Sequence, residues 1–102
     1  MLFHVADRTR WEASVAAGEY TQSTRGMELA DVGFIHLSTE SQVPGVLERF
    51  YAGVTDLVLL HIDETRLTSA VVFEDVPGAS EQFPHLYGPL NPDAVTGTSS
   101  VT

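Results

Sequence analysis

The order of apolar and polar positions predicts strands and helices in turn over the first half of the chain, and mostly strands over the second. Leu2 to Ala6 reads as a short, buried first strand. Thr9-Arg10-Trp11-Glu12 has the spacing of a capping box, and a helix of about two turns is expected behind it, with Trp11 and Val15 on one face. Gly18 is its expected stop, because glycine takes the left-handed conformation that ends helices. Residues 19–32 are polar and irregular and read as a functional loop, with room for a short strand near Tyr20. Gly33 to Ser38 predicts a second strand. A second helix is expected from about Ser41 to Ala52, where Val43, Val46, Leu47 and Phe50 recur at i, i+3, i+4 and i+7 as an inner face. Pro44 fits there only because it falls in the first turn, where N–H groups lack intrahelical partners.

Asp56 to Ile62 is the most hydrophobic segment and predicts a central strand. Asp63 to Arg66 reads as a turn and Ala70 to Glu74 as another strand, broken by Val76-Pro77-Gly78. Phe83 to Leu90 holds two prolines, so a defined aromatic-rich loop or edge segment is expected there. Asp93 to Thr98 predicts the last strand, and the Ser/Thr-rich tail from about residue 97 is expected to fray. Together these give a small α+β domain over residues 1–102: a mixed or antiparallel sheet of about five to six strands with two helices.

Composition narrows the function classes. The 102 residues suit one core. Without cysteine there is no disulfide, thiolate metal site or cysteine nucleophile. The net charge is −9, and all five basic residues are arginines. That is too little positive charge to hold long nucleic acid or an anionic membrane. One arginine and a few backbone N–H groups still suffice for a small anion. With no long apolar run and no signal-peptide pattern at the N-terminus, the expected location is the cytoplasm, with the chain a monomer or weak homodimer.

Four histidines are the natural candidates for chemistry near neutral pH. On a strand, His36 and Ser38 share one face and Ile35 and Leu37 the other. An imidazole and a hydroxyl side by side can hydrogen-bond a ligand's ribose or amide; alternatively Ser38 caps the next helix and His36 is a half-buried side chain. His4 reads as a surface histidine, unless the first two strands are neighbours and set it beside His36. His85 and Tyr87 lie in a proline-stiffened segment that either clamps a ligand or covers a sheet edge. His61, in line with Leu57 and Leu59, reads as a packed histidine. Tyr20 and Arg25 in the polar loop are expected to line the ligand site, Arg25 toward a phosphate; alternatively Arg25, a lone loop arginine, is simply solvated. The histidines show no HxH, HxxxH or HExxH spacing, so no metal is expected. P-loop, GxGxxG and GxSxG patterns are likewise missing.

Several strings carry a resemblance. They are Phe3-His4-Val5, Trp11-Glu12-Ala13, Gly18-Glu19-Tyr20, Gly33-Phe34-Ile35-His36-Leu37-Ser38-Thr39, Gln42-Val43-Pro44, Asp56 to Leu60, and Phe83 to Asn91. With them the chain resembles DUF952, a family of small bacterial domains of unknown function, over Leu2 to about Val95. That family is similar in turn to the ADP-ribosyltransferase superfamily. The nearest echo is tRNA 2′-phosphotransferase, matched in order by His4, Trp11, Gly18 and His36-Leu37-Ser38. The resemblance implies a twisted, split sheet with a cleft for NAD or a related nucleotide. His4 would contact the ribose or nicotinamide carboxamide, with His36 and Ser38 beside it.

The chain also departs from the phosphotransferase pattern. Val5-Ala6 stand where that enzyme has Gly-Thr, and the superfamily's catalytic glutamate has no clear counterpart. Two readings follow from the resemblance. In the first, an NAD-dependent group-transfer enzyme stabilises an oxocarbenium-like ribose, with His36, His85 and Tyr87 as catalytic groups. In the alternative, a non-catalytic nucleotide or small-molecule module keeps the cleft without the chemistry.

Overall fold

A computed structural model describes residues 1–101 of the protein. In chain order the elements are β1 (Leu2–Asp7), α1 (Arg8–Ala17), β2 (Gln22–Thr24), β3 (Met27–Glu28), α2 (Leu29–Val32), β4 (Ile35–His36), α3 (Val43–Phe50), β5 (Leu57–Ile62), β6 (Ala70–Glu74), β7 (Phe83–Tyr87) and β8 (Val95–Ser100). Three short 3-10 turns, at Glu40–Gln42, Glu64–Arg66 and Pro92–Ala94, lead into or link these elements.

The strands form two three-stranded antiparallel sheets, ordered β1-β5-β8 and β4-β7-β6, plus the β2-β3 hairpin. The two sheets meet at one point. There Phe3 and Ser38 exchange both backbone hydrogen bonds at 2.8 Å. β1 and β4 pair no further, so the sheet is split along this seam. The result is a small α+β domain in which every strand pair is antiparallel.

Alternation along the strands separates two apolar clusters. Leu2, Ala6, Ile35, Leu37, Val58, Leu60, Ile62 and Leu86 face one way and pack with Tyr20, Leu90 and Ala94, with Trp11 of α1 against them. Val5 and Leu57 face the other way and pack with Val46 and Tyr51 of the α3 segment. Each fully buried aliphatic side chain stabilises the fold by about 1.5–3 kcal/mol relative to exposure. Arg10 ties α1 to the β2-β3 hairpin. It donates to both Glu28 oxygens, at 2.8 and 2.6 Å, and to the Thr21 hydroxyl at 3.1 Å.

Several expectations need correction. Among the described residues there are eight strands rather than five or six, because residues 19–32 form a hairpin and a one-turn helix. The capping box does not form at Thr9 and Glu12. The helix already starts at Arg8, so Thr9 has helical backbone and cannot be an N-cap. Reciprocal boxes form instead at Glu28/Asp31 and Thr39/Gln42. Gly18, at φ 81°, ends α1 as expected, but Val15 faces solvent. Phe83 to Tyr87 is a regular strand and the centre of its sheet. Pro84 is tolerated because its nitrogen faces Leu37, just past the end of β4. Leu37 donates to the Pro84 carbonyl there at 3.0 Å and receives nothing back. β8 also runs on to Ser100, beyond the expected end of order, because β5 pairs with it as far as Val58↔Ser100.

Candidate functional site

The seam between β1 and β4 sorts the histidines. His4 sits where the ladder opens. Its Nδ1 lies 2.7 Å from the His36 carbonyl, which can only accept, so Nδ1 carries the proton. Nε2 must then accept, and it does so from the Tyr20 hydroxyl at 2.8 Å. The ring thus supplies the donor that a continuing strand would have given. His4 is 3% exposed, and burial pushes its pKa down to about 4, partly offset by the bond to His36. Tyr20 is buried as well, and burial pushes its phenol above the ordinary tyrosine value.

The opposite face carries a second set. His36 and His85 are directly paired across β4 and β7, with ring centroids 5.5 Å apart. His85 is buried, and its Nδ1 donates to Oε1 of Glu74, on β6, at 2.9 Å. The Tyr87 hydroxyl donates to the same oxygen. These two bonds hold the Glu74 carboxyl below its usual pKa, so Glu74 is ionised at neutral pH. Nδ1 of His85 therefore carries a proton, and in the neutral ring its Nε2 is an acceptor. Phe34 stacks on the His85 ring at 3.8 Å, with 15° between the planes.

His36 is half-buried among Phe50, Phe83 and His85. Burial, reinforced by His85, pushes its pKa down to about 4, so it is neutral at pH 7. The Nε2 atoms of both His36 and His85 are buried without a hydrogen-bond partner. Buried polar atoms are seldom left this way, because each costs about 1–3 kcal/mol.

Two cavities meet at His36, Phe50 and Val76. The first, of about 270 Å³, lies against α3 and residues 76–83 and includes Ser41, Gln42, Arg49, Ser80 and Glu81. The second, of about 200 Å³, is more apolar and is lined by Met27, Val32 and Phe34 together with Ser23 and Thr24. Together they form a groove with aromatic walls and an imidazole at its centre.

Of the residues singled out in the sequence, His36, His85 and Tyr87 are brought together. His4 and Tyr20 also lie side by side, but on the other face and away from the groove. Ser38 is buried, and its backbone closes the seam with Phe3. Arg25 lies in a separate groove with Asp7, Arg8 and Asp56. His61 lies half-buried on the central strand β5, 2.6 Å from the Ser99 hydroxyl. Phe50, expected on the inner face of its helix, is 52% exposed and walls the groove instead, because the helix ends there and Tyr51 turns into the core. Glu74, Phe34, Arg49 and Glu81 carried no signal in the sequence: strand register and loop path bring them in. Among the described residues no group of three or more His, Asp or Glu side chains could hold a metal ion, and no helix is long and apolar enough to cross a membrane.

The chain is similar to solved structures of the protein CC0527 from Caulobacter crescentus. A crystal structure of that protein is 31% identical, with a TM-score of 0.82, over 96% of this chain and 82% of that one. Its solution NMR structure is 33% identical, with a TM-score of 0.78, over 97% and 82%. No curated protein matches the chain. Residues 5–98 match the family described as "Protein of unknown function (DUF952)". With that match spanning nearly the whole split-sheet domain, the chain belongs to the DUF952 family.

Proposed function

We propose that this protein is a small-molecule-binding module, and that its ligand is a nucleotide or part of one, seated in the groove at His36. The observation that carries the reading is the His36 ring, which lines both cavities and whose Nε2 atom is buried without a partner. A polar ligand atom there offsets a desolvation cost of about 1–3 kcal/mol. The neutral ring has one donor and one acceptor nitrogen, so it matches a hydroxyl or an amide. Phe50 and Phe83 offer faces and edges for a planar ring. Each cavity is smaller than the roughly 300–1,000 Å³ typical of drug-sized ligands, so each suits one ring or one substituent.

A second reading rests on the Glu74–His85 couple. A carboxylate that fixes an imidazole's tautomer is the usual support for a general base. In this reading the protein is an NAD-using, ADP-ribosyltransferase-like enzyme. His85 Nε2 takes the proton of an acceptor hydroxyl, His36 orients the ribose, and Tyr87 steadies Glu74.

Titration with NAD, ADP-ribose and nicotinamide, followed by NMR, tests both readings. The expected result is shifts centred on His36, Phe50 and Phe83, lost in His36→Ala while the fold persists. Binding without nicotinamide release supports the module, and release that depends on His85 supports the enzyme. Unchanged affinity in His36→Ala would sink the site.

A further inference from the structure

The groove is chemically lopsided. Its apolar end is walled by Met27, Val32 and Phe34, and its other end carries Ser41, Ser80 and Arg49. Arg49 stands out electrostatically in a chain of net charge −9. Arg8, Arg10 and Arg66 are paired with Asp56, Glu28 and Asp63. Among the described residues, only Arg25 and Arg49 have no carboxylate partner within ion-pairing distance, and only Arg49 lines the groove. Its guanidinium carbon lies 5.6 Å from the centroid of the Phe50 ring. That contact holds the cation at the wall the two cavities share. The one acid of this cavity, Glu81, accepts from Gln42 Nε2 at 2.7 Å. Gln42 is itself buried, so Glu81 is held in place as an acceptor for ligand hydroxyls.

We infer that Arg49 is a specificity-determining residue that selects ligands with an anionic group, phosphate above all, attached to a planar ring. The ring enters the apolar end past His36 and Phe50, and the anion meets the Arg49 fork and the two serine hydroxyls. A guanidinium binds phosphate or carboxylate through two parallel hydrogen bonds, and a neutral ligand forgoes them. The inference rests on the binding-module reading and names the ligand class for that same site.

Paired calorimetric titrations with adenosine 5′-monophosphate and adenosine test it, since the two differ only in the phosphate. The wild-type protein is expected to bind the monophosphate about ten-fold more tightly, with the gap narrowing as salt rises. Arg49→Gln should lower monophosphate affinity to that of adenosine and leave adenosine and the melting temperature unchanged. Arg25→Gln, away from the groove, should alter neither. Equal binding of the two probes by the wild type overturns the role of Arg49 and leaves the binding module standing. Equal loss of both probes in Arg49→Gln also overturns it, because the residue would then shape the groove rather than read charge. If neither probe binds at millimolar concentration, both the inference and the nucleotide reading fail.

Discussion

His4 and His36 lie on neighbouring strands, are joined by a hydrogen bond from one ring to the other's backbone, and have pKa values lowered alike. Their surroundings nevertheless give them opposite roles. His4 has both nitrogens occupied, by a carbonyl and a phenol, inside the larger apolar cluster. His36 lines the groove and keeps a buried nitrogen without a partner. A lowered pKa therefore does not mark function by itself, since burial produces it in both. What separates them is satisfaction: a saturated histidine holds the fold together, and an unsaturated one is available to a ligand.

The sharpest test of this contrast compares two alanine variants. His4→Ala leaves the His36 carbonyl and the Tyr20 hydroxyl unpaired and opens a void at the seam. A loss of about 3–5 kcal/mol is expected in urea unfolding. His36→Ala removes a half-exposed ring with no hydrogen bond, and about 1 kcal/mol is expected. Comparable losses in the two variants would erase the distinction.

The strand pattern made one side of this contrast legible in advance. Alternation at Ile35-His36-Leu37 sets Ile35 and Leu37 in the core and His36 on the other face, whereas Ser38, expected beside His36, is buried at the seam; the apolar run at Leu57–Ile62 is the central strand it promised. Gly18 and Pro44 mark helix boundaries because their backbone chemistry is local. Long-range pairing was not legible. Whether His4 turns toward the cleft depends on where β1 and β4 part. Glu74 reaches His85 only through the register that sets Val72 opposite it. Pro84 misled for a related reason: a proline forbids a central strand only where a partner needs its N–H, and that depends on the length of β4.

The next effect is acid sensitivity. Both histidines titrate near 4 in the folded protein and near 6.5 in the unfolded chain. Between those values the unfolded state binds more protons, so stability falls as pH drops. Their contribution is complete above pH 6.5, declines through the window from 6.5 to 4, and changes no further below it. The loss from each is on the order of 3 kcal/mol across the window. Urea midpoints at pH 7 and pH 4.5 should show the drop, and His36→Ala should halve its histidine-linked part. An unchanged slope in that variant means His36 is not held neutral by the fold.

Tyr20→Phe probes the saturated site more gently. The ring keeps its packing against Trp11 and His4, and only the donor to His4 Nε2 is lost. One buried acceptor is then unpaired, and about 1–3 kcal/mol should disappear from the unfolding free energy. Ligand titrations should be unaffected, because this pair lies away from the groove. A variant that keeps its stability but loses binding would move Tyr20 from the fold's side of the comparison to the ligand's.

The smallest effect concerns His85, which stands between the two cases: one nitrogen is satisfied and the other is free. Its state depends on Glu74. The carboxylate requires a proton on Nδ1, which in the neutral ring leaves Nε2 as an acceptor. Glu74→Gln retains an oxygen to accept that proton, so the tautomer should persist with the charge removed. Glu74→Ala removes the acceptor, and the ring should then populate both tautomers, with the Tyr87 hydroxyl released to water. Ring 15N shifts distinguish these states directly. One pure tautomer is expected in the wild type and in Glu74→Gln, and an averaged signal in Glu74→Ala. Because Glu74 lies toward solvent, water can take its place at Nδ1 and the fold should respond less than in Tyr20→Phe, so a change in ligand affinity in these variants would report on His85 as a binding or proton-accepting group. If the tautomer stays pure in Glu74→Ala, packing against Phe34 rather than the carboxylate sets the ring. His85 would then join His4 as a structural histidine, leaving His36 alone to serve the ligand.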